Sequence, residues 1–333
     1  VVADGGGTRA LADTTPGQAM GNAGVPLNLD WVDEVRLNTS AVERRAATLV
    51  TRRTVKKDWQ IAWLLKAITC MDLTTLSGDD THERVRRLCA KARAPLTEEV
   101  KAALGIAQLP VQVAAVCVYQ LFVATARRAL EGTDIKVAAV STGFPAGLNA
   151  FEERLAEVRR SVQAGAQEID VVITRALVFG GEWQRLYDEV RAFKEACGDA
   201  HCKVILGTGD LATLRNVGRA SLVAMMAGAD FIKTSTGKET VNATLPVGLV
   251  MTRAIRDYAE RAGVSVGFKP AGGIRTARQS LEWLTLMKEE LGPVWLTPHL
   301  FRLGASSMLA DIERQLSFHS SGRYAAAYRH PLV

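Results

Sequence analysis

Eight short apolar runs, separated by longer amphipathic stretches, constrain this chain more than any other feature. The runs are ITCMDLT (68–74), VAAVCVY (113–119), VAAVST (137–142), IDVVIT (169–174), KVILGT (203–208), FIKTS (231–235), VGFKPA (266–271) and FRLGAS (301–306). Each has the length and composition of a buried strand. Between them, stretches such as FEERLAEVRRSVQAGA and EWQRLYDEVRAFKEACG place apolar residues at helical spacing. Strands joined by helical crossovers run parallel. Eight such units predict an α/β fold, a closed (β/α)8 TIM barrel, with an open doubly wound sheet as the alternative.

The 333 residues exceed the roughly 250 of one such barrel, and the surplus is read at the ends. Residues 1–26 are rich in Gly, Ala and Thr, lack an apolar period, and are expected to be disordered or loosely attached. The chain opens without Met, which points to a fragment or processed end, and its start does not read as a signal peptide. LDWV from Leu29 and then TVKKDWQIAWLLKAIT form an N-terminal helical extension. A single barrel domain is expected over residues 27–318, with a tail over 319–333.

Composition limits the function classes. No apolar run approaches the roughly 18 residues of a membrane span, so no membrane partner is expected. Five scattered cysteines form no disulfide framework and point to a reducing, cytosolic (cytoplasmic) setting. The formal charge of +6 suits a phosphorylated small molecule but is too weak to argue for nucleic acid. The basic run at 43–59 has no nucleic-acid motif beside it and reads as a solvated helix face.

In a (β/α)8 barrel the active site lies at the C-terminal ends of the strands. Polar residues gather there: Asp72 with Thr74 and Thr75, Thr142, Thr174, Thr208, Ser235 to Lys238, Gly272 with Gly273, and Ser306 with Ser307. Three ionisable residues lie inside predicted strands: Asp170, Lys233 and Lys269. Any one could be a charge that reaches the barrel end or the helix layer and finds a partner. Three in one barrel must each be paired or neutralised. Lys233 and Lys269 fall on the sixth and seventh strands and are neighbours. If both point inward, mutual repulsion and burial favour the neutral amine. A lysine that is neutral near pH 7 attacks carbonyls and forms a Schiff base, and Asp170 is placed to move protons as general acid/base.

TSTGK, PAGGIR and LGASS follow the sixth, seventh and eighth strands, the usual phosphate region of these barrels. Glycines let backbone N–H groups approach anionic oxygens, although Ser306 and Ser307 could instead cap a helix. STGK is not a Walker loop, because Ile232 stands where its first Gly is required and Glu239 follows Lys238. Five scattered histidines show no HExxH pattern, and CGDAHC (197–202) lacks a second ligand pair, so no metal and no cofactor are expected. Cys117 reads as a small buried hydrophobe.

Taken together, IKTSTGK, GFKPAGGIR, MDLTTLSGDDT, AAVCVY, EIDVVI and FRLGASS resemble the deoxyribose-phosphate aldolases, a class I Schiff-base family. The resemblance runs from about Leu27 through nearly the whole chain. TVKKDWQIAWLLKA, MMAGADFIKTSTGKETVNAT and GRYAAAY resemble the animal-type members. It implies reversible, metal-independent cleavage of 2-deoxy-D-ribose 5-phosphate to D-glyceraldehyde 3-phosphate and acetaldehyde, in a catabolic direction. It further implies that Lys233 is the Schiff-base lysine, Lys269 the lysine that perturbs it, and Asp170 the proton-relay acid. By the same resemblance Asp72 and Cys117 line the substrate pocket, and Lys203 matches a lysine of the fifth strand. Gly237, Lys238, Gly272, Gly273, Gly304, Ser306 and Ser307 match the phosphate-proximal segments. Departures are Gly207, where bacterial members carry glutamate, and Gln120, where proline is usual. The terminal tyrosine of bacterial members has two unassigned counterparts, Tyr324 and Tyr328. The alternatives are another Schiff-base aldolase or transaldolase on a different sugar phosphate, or a barrel that only binds phosphorylated ligands. A homo-oligomer is left open.

Overall fold

Alternation along the strands divides the interior into two environments. In EIDVV, Ile169 and Val171 join the large apolar core between sheet and helices, while Glu168 and Asp170 point the other way. The same split recurs in HCKVI, where Cys202 and Val204 join that core and Lys203 does not. This period of two is what a strand buried on both faces imposes.

The structure, a computed structural model, describes residues 21–52 and 55–330. All eight apolar runs form strands: β1 (Met71–Thr74), β2 (Ala115–Tyr119), β3 (Lys136–Ser141), β4 (Glu168–Val172), β5 (His201–Ile205), β6 (Phe231–Lys233), β7 (Gly267–Lys269) and β8 (Leu303–Ala305). They pair in parallel in the order β7-β6-β5-β4-β3-β2-β1-β8. Bridges Phe268–Phe301 and Ala271–Gly304 join the two edges, with Gly304 N–H donating to the Pro270 carbonyl at 3.0 Å. The sheet is therefore a barrel and not the open doubly wound alternative. Several runs extend past their strands, because their last polar residues leave the sheet to build loops above it.

Helices follow the strands, and several begin on short polar caps. Thr81, Thr97, Thr213, Thr244 and Thr276 each accept a hydrogen bond from a backbone N–H of the first turn. Each such cap contributes about 1 kcal/mol. The N-terminal extension comprises helices Leu29–Asp33, Thr39–Arg52 and Lys57–Thr69, which pack on the outer helical layer. Arg45, within the basic run, pairs with Glu289 and Glu290 at 3.3 and 3.1 Å, so this residue packs onto a neighbouring helix.

The expectation for residues 1–20 lies outside the described residues. Residues 21–26, however, are fixed to the barrel. Asn22 donates through Nδ2 to the carbonyls of Met225 and Ala229 at 2.8 and 2.9 Å, and its N–H donates to Asp230 Oδ1 at 2.7 Å. Gly24 has φ +76, and a Cβ there would meet the Met226 oxygen at 2.6 Å. At the other end, Tyr324 stacks on Phe318 at 4.6 Å and donates to Gln315 at 2.7 Å, while Tyr328 is exposed. Among the described residues, no helix is long and apolar enough to cross a membrane.

Candidate active site

The barrel interior, which in this fold is usually filled by branched apolar side chains, is here filled with charge. Register places Asp170 beside Lys203 and Lys233 beside Lys269. Lys233 Nζ and Lys269 Nζ both donate to Asp170 Oδ2, at 2.7 and 2.8 Å. Lys203 Nζ donates to the other oxygen, Oδ1, at 3.0 Å. Lys203 also lies 2.5 Å from Glu168 and 3.4 Å from Asp72. Lys269 lies 2.5 Å from Asp72 Oδ2. Arg302 grips Glu168 with two N–H groups at 2.7 and 3.0 Å and donates to Asp72 Oδ1 at 2.6 Å. Three carboxylates and four cations thus share one buried network.

Packing below the network sets its height. Phe231, two residues before Lys233, points inward, and Arg302 lies over its ring at 5.7 Å. A Cβ at Gly267 would meet that ring at 2.3 Å, so β7 carries glycine where β6 carries phenylalanine. This complementary pair leaves Lys233 and Lys269 as the next inward layer, directly under the site.

The charges are unequally held. Burial raises the carboxyl pKa of Asp72, Glu168 and Asp170, but the adjoining cations outweigh it and hold all three below the ordinary carboxylate range, Glu168 at about 2. Burial lowers the pKa of Lys203, Lys269 and Arg302, yet two or three carboxylates around each raise it above its ordinary value. Lys233 goes the other way. Burial, joined by repulsion from Lys269, outweighs its one carboxylate, Asp170, and its pKa falls. The Cys117 thiol is pushed up by burial and by Asp170, and stays protonated.

A cavity of about 350 Å³ opens above the two lysines. Its wall is formed by Thr74 at the end of β1 and the three residues after it, by Gly304 in β8, and by the loops after β6, β7 and β8, including Gly237, Lys238, Gly272, Gly273, Ser306 and Ser307. Gly237, Gly272 and Gly273 have φ of +88, +82 and +79, conformations that favour glycine. Nothing lies within 4 Å of a Cβ built on Gly273, which faces open space. Glu239 braces the first loop by accepting from Thr236 N–H at 2.9 Å and Gly237 N–H at 3.1 Å. Ser307 stands at the N-cap of helix Met308–Ser321 yet makes no capping hydrogen bond, and both serines are exposed. The N-terminal turn of this helix therefore borders the cavity.

The structure thus joins Lys233 and Lys269 through Asp170 and gathers Gly237, Lys238, Gly272, Gly273, Gly304, Ser306 and Ser307 around one cavity. Asp72, Cys117 and Lys203 differ from expectation. All three are fully buried and lie outside the cavity wall, because the network and the inward small residues Ala138 and Val140 enclose them. Tyr324 and Tyr328 are also absent from the wall. Glu168 and Arg302 are the residues that sequence reading missed. Their signal was the period of two: Glu168 precedes Asp170 by two positions, and Arg302 precedes Gly304 by two.

Comparison with known proteins follows the same lines. The profile of the DeoC/LacD family of aldolases matches residues 66–292. The chain is 58% identical over 311 residues to the deoxyribose-phosphate aldolase of Bos taurus, covering 93% of this chain and 98% of that protein. It is 59% identical to the Mus musculus deoxyribose-phosphate aldolase over 311 residues, again 93% and 98% of the two chains. Among solved structures, the tetrameric deoxyribose phosphate aldolase from Aeropyrum pernix superposes with a TM-score of 0.59 at 22% identity, covering 84% of this chain and 99% of that one. At that identity the likeness speaks for the fold.

Proposed function

The chain belongs to the DeoC/LacD family of aldolases, and we propose that it cleaves 2-deoxy-D-ribose 5-phosphate reversibly to D-glyceraldehyde 3-phosphate and acetaldehyde through an imine on Lys233. The observation that carries the mechanism is the shared oxygen: Lys233 and Lys269 meet on Asp170 Oδ2 at 2.7 and 2.8 Å, beneath the cavity.

The neutral Lys233 amine attacks C1 of the open-chain sugar, and loss of water gives the protonated imine. Removal of the C3 hydroxyl proton lets the C2–C3 bond break. Its electron pair enters the imine, leaving an enamine on Lys233 and releasing glyceraldehyde 3-phosphate. Protonation at C2 and addition of water then free acetaldehyde and the lysine. Asp170 is held as a carboxylate, so it acts first as an acceptor. Imine formation removes N–H groups from Lys233, which leaves Oδ2 a lone pair for the C3 hydroxyl or a water. Lys269 keeps its proton and stabilises the negative charge beside the imine. Gly237, Lys238, Gly272, Gly273, Gly304, Ser306 and Ser307 hold the phosphate, which fixes the C2–C3 bond over Lys233. Asp72 and Lys203 position Asp170 and Lys269, and Cys117 packs against them.

The partner is a small sugar phosphate. Five buried cysteines, all unbonded, support a reducing, cytosolic setting. Direct assay on a panel of sugar phosphates, with EDTA present, tests the proposal. Cleavage of 2-deoxy-D-ribose 5-phosphate with release of acetaldehyde is expected, and turnover confined to another sugar would overturn it.

A further inference from the structure

The interior network holds one cation more than it has carboxylates, and the contacts show which cation is least held. Arg302 touches Glu168 and Asp72, Lys269 touches Asp72 and Asp170, and Lys203 touches all three carboxylates. Lys233 touches Asp170 alone, on an oxygen that Lys269 also holds. Glu168 and Arg302 form the lower end of this network. Both are nearly inaccessible to solvent, at 2% and 4% exposure, and neither borders the cavity. An apolar layer would fill the same volume without burying charge, and buried ion pairs seldom gain stability over such a layer.

We propose that Glu168 and Arg302 are positioning residues for the aldol reaction, which fix the charge balance of the barrel interior so that Lys233 is the surplus cation. This rests on the Schiff-base reading of Lys233. Glu168 draws Lys203 downward, so that Lys203 takes only Oδ1 of Asp170 and leaves Oδ2 to the two upper lysines. Arg302 occupies Asp72 Oδ1, so that Asp72 offers Lys269 its other oxygen. With three other cations already sharing three carboxylates, the proton on Lys233 is the one whose loss brings the network to neutrality. The charged and titratable groups that face the same interior come from nearly every strand. They are Asp72 on β1, Cys117 on β2, Glu168 and Asp170 on β4, Lys203 on β5, Lys269 on β7 and Arg302 ahead of β8. β3 contributes only Ala138 and Val140.

The test is the pH dependence of imine formation, read as the rate of borohydride trapping of acetaldehyde on the protein. Wild type is expected to trap on Lys233, with a rate that rises as the lysine loses its proton. R302Q removes a cation, and the midpoint should move to higher pH by about one pH unit. E168Q removes an anion, and the midpoint should move to lower pH by about as much. The double variant E168Q/R302Q restores the balance and should return the midpoint to that of wild type. R302K keeps the charge without the two-pronged grip and should stay near wild type. A purely structural pair would lower the trapping rate without opposite shifts. Unmoved midpoints, or shifts of the same sign in both single variants, would overturn the proposal. If a single variant does not fold, the double variant decides: a wild-type midpoint supports the proposal and a displaced one overturns it. Absence of trapping in wild type would instead overturn the Schiff-base reading, and this inference with it.

Discussion

Lys233 and Lys269 place their ammonium groups on one carboxylate oxygen, Asp170 Oδ2, at 2.7 and 2.8 Å. The two lysines are therefore not merely adjacent. They compete for a single acceptor, and Lys269 wins because Asp72 holds it from the other side at 2.5 Å. Lys233 is left with burial, a repelling neighbour and half a partner.

Removing that neighbour should return the proton. In Lys269→Leu, Asp170 faces Lys233 without a competitor, and the pKa of Lys233 rises. The acidic limb of the pH–rate profile then moves to higher pH. Where the amine is mostly protonated, a tenfold tighter hold on its proton slows the reaction about tenfold at neutral pH. Trapping rates measured from neutral to alkaline pH check this. An unmoved limb would contradict the electrostatic role of Lys269.

Asp170→Asn should separate imine formation from bond cleavage. The lysine still reacts with acetaldehyde, whereas the acceptor for the C3 hydroxyl proton is lost. A fall of about 100-fold or more in kcat is expected, with trapping on Lys233 retained. Steady-state kinetics beside mass spectrometry would show it. Cleavage within a few-fold of wild type would remove Asp170 from the proton path.

The loop glycines give a prediction about the phosphate. Gly273 has φ +79 and faces open space, so a methyl group there meets no protein atom but strains the backbone and intrudes where an anion would sit. Gly273→Ala should lower kcat/KM for the phosphorylated sugar by about tenfold, a loss of about 1.4 kcal/mol. Cleavage of unphosphorylated 2-deoxyribose should fall far less. Equal losses on both sugars would show that Gly273 does not act through the phosphate.

A buried lysine beside another cation carries a stability cost. Its folded pKa lies below its unfolded value of about 10.4. Wild-type stability therefore rises with pH between the two, and the penalty is complete below the folded value. Lys233→Met removes the surplus charge and should raise Tm by roughly 2 °C at neutral pH, the effect of about 1 kcal/mol in a protein of this size. The gain should shrink as the pH approaches about 10. Calorimetry across that range checks the sign, and a lower Tm at neutral pH would contradict it.

The strands, their order along the chain and the inward pair Lys233–Lys269 were legible because each is written in a few consecutive residues. The lower half of the network was not. Arg302 meets Glu168 across 134 positions and Asp72 across 230, and barrel closure alone brings them together. Asn22 was missed for the same reason, since its partner Asp230 lies 208 positions away. Asp72 was expected at the pocket from the family resemblance, and Lys203 was matched only to a lysine of the fifth strand. The interior network instead holds both away from the cavity wall: Asp72 is paired with Arg302 and Lys269, and Lys203 reaches all three carboxylates.

The most direct measurement is reduction with borohydride in the presence of acetaldehyde, followed by peptide mass spectrometry. A single two-carbon adduct on Lys233 is predicted, with Lys203, Lys238 and Lys269 unmodified. No adduct, or one confined to another lysine, would contradict the assignment of Lys233 as the nucleophile.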